Sequence, residues 1–184
     1  MNIEIMYGRS LSVDAFNSIL ELDLKVFGKN ILTNEGMALK RFLKFKDSII
    51  AAYSDNTLMG FICFFNVNHV VYQRAIFEQE YIDDNLCERD IKSLSKWEGN
   101  HILLFDFVID EPFRNQGIST LILDAIRDFL QQKNELGYNI EKIFGYAITP
   151  KGLKLLSSFG GREIWTRDGI TLLEINKESF LRLS

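Results

Sequence analysis

Hydrophobic and polar positions along the chain switch repeatedly between a period of two and a helical period. Residues 3–7 alternate as a first strand, and residues 12–27 set Phe16, Ile19, Leu20, Leu24 and Phe27 on one helical stripe that Gly28 stops. Thr33 is placed to cap a second helix carrying Leu39, Phe42 and Leu43. Residues 48–53 and 57–67 read as strands joined by a tight turn at Asp55-Asn56. Residues 68–100 are polar and mixed, with one or two short helices at most, and read as an insert. Residues 101–109 form a dense apolar run, the profile of a central strand buried on both faces.

Residues 117–133 then put Ile118, Leu121, Ile122, Ala125, Ile126, Phe129 and Leu130 at helical spacing, ended by Gly137. Residues 141–149 are another strand. Thr149-Pro150 opens a helix as cap and first residue, and Gly160 ends it. Residues 162–167 and 170–176 flank Asp168-Gly169, a two-residue hairpin signal. The order β-α-α-β-β-(insert)-β-α-β-α-β-β predicts one α/β domain over residues 1–184, a mixed sheet of about seven strands flanked by about four helices.

Composition narrows the function classes. At 47% hydrophobic and 25% charged, with a mean hydropathy of -0.01, the chain is neither disordered nor fibrous. Its longest apolar runs, 58–65 and 102–109, fall far short of the roughly 20 residues that span a bilayer, so no membrane is expected. The net charge of -4 means a nucleic-acid partner would need a local basic patch, and none is expected. The N-terminus shows no basic region followed by an apolar stretch, so a cytoplasmic protein is expected. Cys63 sits in an apolar run as a core residue, and Cys87 has acidic neighbours that would raise a thiol pKa. Neither stands at zinc-ligand spacing from His69 or His101, so no metal is expected, and the two histidines read as strand-edge residues.

The informative stretch is residues 105–121. A buried strand runs through a short polar turn straight into an amphipathic helix, whose first amides lack internal partners and carry the positive end of the macrodipole. Gly117 lets a backbone approach closely and Arg114 adds a fixed charge, so the segment reads as an anion site or as an ordinary structural turn. It has neither the Gly-Lys-Ser/Thr of a P-loop nor three spaced glycines of a dinucleotide fingerprint.

Arg114-Asn115-Gln116-Gly117-Ile118-Ser119 resembles the Arg/Gln-x-x-Gly-x-Gly/Ala signature of the GNAT superfamily of acyl-CoA N-acyltransferases, with Ser119 where glycine or alanine is usual. Residues 152–164 resemble the same family's later helix and turn, and the element order fits its fold outside residues 68–100. The resemblance implies a GNAT-like fold and acetyl-CoA as co-substrate. It implies that the amides of Asn115, Gln116, Gly117, Ile118, Ser119 and Thr120, with Arg114, hold the pyrophosphate. It implies further that the pantetheine arm pairs with Phe107, Val108 and Ile109, on a strand splayed from its neighbour near a bulge.

Asp106 interrupts the apolar strand and is the candidate base for an amine, or else an acid at the cleft edge held by a neighbour's hydrogen bond. The tyrosine that the family often uses as general acid falls at Leu156, which leaves Tyr146 as the candidate for that role or as a packing residue. The reading that follows is an N-acetyltransferase working by direct transfer in a ternary complex. The alternative is a coenzyme A-binding sensor without turnover. The insert reads as a solvated connector or as a lid whose acids draw a cationic amine acceptor, with Trp97 and Tyr81 as apolar walls. A homodimer stays open.

Overall fold

A computed structural model describes residues 2–28, 35–82 and 85–182. Seven strands form one open sheet in the order β1-β2-β3-β4-β5-β7-β6: β1 Glu4–Tyr7, β2 Ile49–Ser54, β3 Thr57–Val67, β4 Asn100–Ile109, β5 Ile140–Ala147, β6 Gly161–Arg167 and β7 Ile170–Ile175. β4 and β5 are parallel and the other neighbours antiparallel, so the sheet is mixed as expected. Both tight turns carry the left-handed backbone their residues favour, with φ of 47° and 64° at Asp55 and Asn56 and of 52° and 79° at Asp168 and Gly169.

Six α-helices cover the sheet: α1 Val13–Phe27, α2 Glu35–Lys44, α3 His69–Phe77, α4 Ile118–Glu135, α5 Pro150–Ser158 and α6 Lys177–Arg182. Four match the expected flanking helices, α3 is the helix expected in the insert, and α6 is additional. α3 is the insert's helix, capped by Asn68, whose side chain accepts from the Val71 amide. α6 follows the closing hairpin, and Asn176 accepts from the Ser179 amide at 2.8 Å, a cap signal that the sequence carries. The expected cap at Thr33 lies outside the described residues.

The two faces of the sheet are covered by different helices. Phe64 of β3 meets Phe129 of α4 at 5.7 Å, whereas Phe65 points the other way, to Phe105 at 5.2 Å, and Arg41 of α2 lies over that Phe105 ring. α3 covers the distal strands on this second face, where Trp165 Nε1 donates to the Ala75 carbonyl at 2.8 Å. Three helical stripes are rotated from the expected ones. In α1 Leu22 is buried and Leu24 only half-buried, in α2 Arg41 is buried and Leu43 exposed, and in α4 Leu123 is buried while Leu121 is exposed.

His101 is not an edge residue. It lies on central β4, is 3% exposed, and its Nε2 stands 3.2 Å from Nδ1 of His69 at the start of α3. Burial lowers the His101 pKa and Glu141 opposes it; His69, Lys92 and Lys142 add to the lowering. A depressed value means the unfolded chain takes up the proton first as pH falls. The stability is therefore present above the ordinary value of about 6.5 and is withdrawn below it. We expect thermal unfolding of the wild type to shift downward between about pH 7 and about pH 5 more than that of His101→Gln; equal shifts would contradict this role.

Candidate active site

β4 is the strand that opens the site. Its parallel pairing with β5 runs from Asn100↔Ile140 to Leu104↔Gly145 and stops there. On its other side the register with β3 steps from Phe64↔Leu104 to Cys63↔Asp106, which leaves Phe105 as the extra residue of a β-bulge. β5 meanwhile continues through Tyr146 and Ala147, paired to β7. The two strands part at the bulge. The first five residues of β4 are fully buried, but most of the remainder is only half-buried.

Beyond Ile109 the chain makes a 3-10 turn over Glu111–Phe113, whose N-cap Asp110 also binds Lys25 of α1 at 2.6 Å. Arg114 folds back so that its Nε donates to the Ile109 carbonyl at 3.2 Å. Asn115 at φ 64° and Gly117 at φ 79° are both left-handed, and together they swing the chain into α4. Gly117 caps α4 without any side-chain hydrogen bond, and the Leu121 amide closes a helical turn on the Gly117 carbonyl at 3.2 Å. The amides ahead of Leu121 therefore project from a positive helix end. A Cβ on Gly117 would meet nothing within 4 Å, so the backbone there faces open space.

A cleft of about 540 Å³ follows the parting of the strands. Asp106, Phe107, Val108 and Ile109 line it from β4, Arg114 and Asn115 from the turn, Ile118 and Ser119 from α4, and Tyr146 from β5. Gln116, Gly117 and Thr120 lie at the turn and helix start, outside this lining, and Gln116 Nε2 donates to the Pro112 carbonyl at 2.8 Å. Leu156, at the position of the family's tyrosine, is a buried apolar wall of the cleft. The Tyr146 hydroxyl donates to the Glu80 carbonyl at 2.7 Å and accepts from the Ile82 amide at 3.4 Å, so it fastens the insert.

Several lining residues carry no expectation from the sequence. Val26 and Phe27 come from the end of α1, Phe105 from the bulge and Lys151 from the first turn of α5. Only Lys151 had a local signal, since it directly follows the cap and proline that open its helix. From the insert, Tyr81 lines the cleft, its ring 5.0 Å from that of Tyr146 in an edge contact, whereas Trp97 is 94% exposed and is no part of the wall. Three of the insert's described acids are engaged within it. Glu80 takes a bidentate bond from Arg74, which holds its carboxyl below the usual range, Asp90 accepts from the Cys87 amide, and Glu98 pairs with Lys92. His69 and His101 do not line the cleft. Among the described residues no cluster of side chains suits a metal ion, and no helix is long and apolar enough to cross a membrane.

Comparison with known proteins agrees with this geometry at the level of family and fold. Residues 16–144 match the family described as acetyltransferase (GNAT). No curated protein sequence matches the chain. Among solved structures, FeeM, an N-acyl amino acid synthase from uncultured soil microbes, superposes with a TM-score of 0.67 at 10% identity, covering 97% of this chain and 93% of that one. Naa50 of Arabidopsis thaliana, in complex with a bisubstrate analogue of coenzyme A, gives 0.58 at 10% identity over 96% and 99% of the two chains. The PaiA N-acetyltransferase of Thermoplasma acidophilum, in complex with coenzyme A, gives 0.56 at 14% identity over 96% and 99%. At these identities the likeness is one of fold.

Removing the Tyr146 hydroxyl strands the Glu80 carbonyl and costs about 1 kcal/mol. In Tyr146→Phe we expect amide exchange at Ile82 to quicken, read by NMR, with the rest of the sheet unchanged; unaltered exchange at Ile82 would contradict the anchoring.

Proposed function

The chain belongs to the acetyltransferase (GNAT) family, and from that premise we propose that it transfers the acetyl group of acetyl-CoA to an amine by direct attack within a ternary complex. The observation that carries the reading is the parting of β4 from β5 at Phe105, with the same strand running through Gly117 into the start of α4. One continuous backbone thus offers strand-edge groups and a positive helix end along a single cleft.

The residues present fit such a co-substrate. The amides of Asn115, Gln116, Gly117, Ile118, Ser119 and Thr120 form the pyrophosphate site, with Arg114 and Lys151 as flanking cations, and the open space over Gly117 admits an anion to backbone contact. Phe107, Val108 and Ile109 pair with the pantetheine arm as an added strand where β5 has turned away. Backbone amides at the bulge polarise the thioester carbonyl as the attacking nitrogen bonds to its carbon. Asp106 accepts the proton that the amine must lose; an alkylammonium with a pKa near ~10.4 is mostly protonated at neutral pH. Collapse of the adduct breaks the carbon–sulfur bond and gives an amide and a thiol. Tyr146 can protonate the departing thiolate only by turning its hydroxyl proton away from the Glu80 carbonyl.

One observation favours a second reading. With Leu156 on the wall and the Tyr146 hydroxyl engaged, neither supplies a ready proton, as suits a coenzyme A sensor without turnover. Release of thiol from acetyl-CoA in the presence of an amine panel separates the two, because a sensor binds coenzyme A and releases none.

Gly117→Glu is expected to lose the thermal stabilisation that coenzyme A gives the wild type, while Gly117→Asn, which tolerates the left-handed backbone, keeps its fold and part of the effect. Full stabilisation of the glutamate variant would move the pyrophosphate elsewhere. In Asp106→Asn, turnover should fall by about 10²-fold or more with the KM for acetyl-CoA unchanged, and the acidic limb of the pH–rate profile should vanish. A wild-type profile in that variant would assign the base to another group.

A further inference from the structure

The acceptor's half of the cleft differs in character from the half that faces α4. Its cations, Arg114 and Lys151, belong to the turn before α4 and to the first turn of α5. On the opposite face, Phe105 packs against Phe65 with the buried guanidinium of Arg41 5.3 Å from its ring centroid. Tyr81 and Tyr146 meet there edge to face, and Phe27 closes the end of α1. Among the described lining residues Asp106 is the single acid. Of the described insert acids, Glu80, Asp90 and Glu98 serve Arg74, the Cys87 amide and Lys92, and neither these nor Glu78 and Glu88 line the cleft.

Resting on the transfer reading above, we propose that the acceptor is a small primary amine carried on an apolar, otherwise uncharged body, an alkyl or arylalkyl amine, with Tyr81 of the insert as a specificity-determining residue. A single ammonium can be met by Asp106 and by the faces of the tyrosine rings. A second ammonium on the same molecule would be desolvated against Phe27 and Phe105 with no carboxylate among the described lining residues, other than Asp106, to meet it. An apolar body instead gains from burial against the same rings.

The test measures thiol release from acetyl-CoA by the full chain with 2-phenylethylamine, hexylamine, spermidine and lysine amide at one pH. The expected result is a kcat/KM at least about 10-fold higher for 2-phenylethylamine than for spermidine, a discrimination of the size that apolar pockets reach. Tyr81→Ala should raise the KM for 2-phenylethylamine severalfold with the KM for acetyl-CoA unchanged, and Tyr81→Phe should restore it. Equal or better use of spermidine or lysine amide would overturn the acceptor class while leaving transfer intact. A KM unaltered in Tyr81→Ala would remove Tyr81 from the assignment. Silence with all four amines, in a chain that coenzyme A still stabilises, would sink the transfer reading and this one with it.

Discussion

A strand inside a sheet must satisfy backbone groups on both sides, and β4 does so with strand neighbours only as far as Leu104. Beyond the bulge at Phe105 it keeps β3 on one side and faces the cleft on the other. Much of the site's architecture serves to hold that half-paired strand in place. Gly60 stands opposite Ile109, where a Cβ would come within 2.6 Å of the Val108 carbonyl, so only glycine lets β3 stay close. Arg114 returns to the Ile109 carbonyl, and Lys25 fixes Asp110 to the end of α1. These contacts hold the half-paired edge in place.

The insert is the second constraint. Its two ends leave β3 and enter β4 beside a buried pair of amides, in which Asn66 Nδ2 donates to Asn100 Oδ1 at 3.0 Å and Asn66 Oδ1 accepts from the His101 amide at 2.9 Å. Arg41 of α2 reaches the Leu86 carbonyl at 2.7 Å, and Tyr146 holds the Glu80 carbonyl. These bonds make the stretch around Tyr81 part of the wall.

Most of the sheet was legible in the residues, because each strand is bounded by a turn whose chemistry is local. Asp55-Asn56 and Asp168-Gly169 specify their hairpins, and Gly117 marks the entry to α4. The parting of β4 from β5 was expected only through a family resemblance, since no residue of β5 announces that its pairing ends at Gly145. Tyr81 is expected as an apolar wall and lines the cleft, whereas Phe27 and Phe105 read as ordinary apolar residues; their place on the cleft comes from tertiary packing across distant segments. α6 lies beyond the predicted order of elements; its one local signal is the cap residue Asn176, ahead of a helix of only six residues.

The central claim is that the unpaired edge of β4 takes up the acyl donor as an added strand. Amide hydrogen exchange across residues 105–109, measured with and without saturating coenzyme A, tests it directly. The account predicts marked slowing of exchange on this stretch together with the start of α4. Protection confined to other parts of the molecule, in a protein that binds coenzyme A, would contradict it.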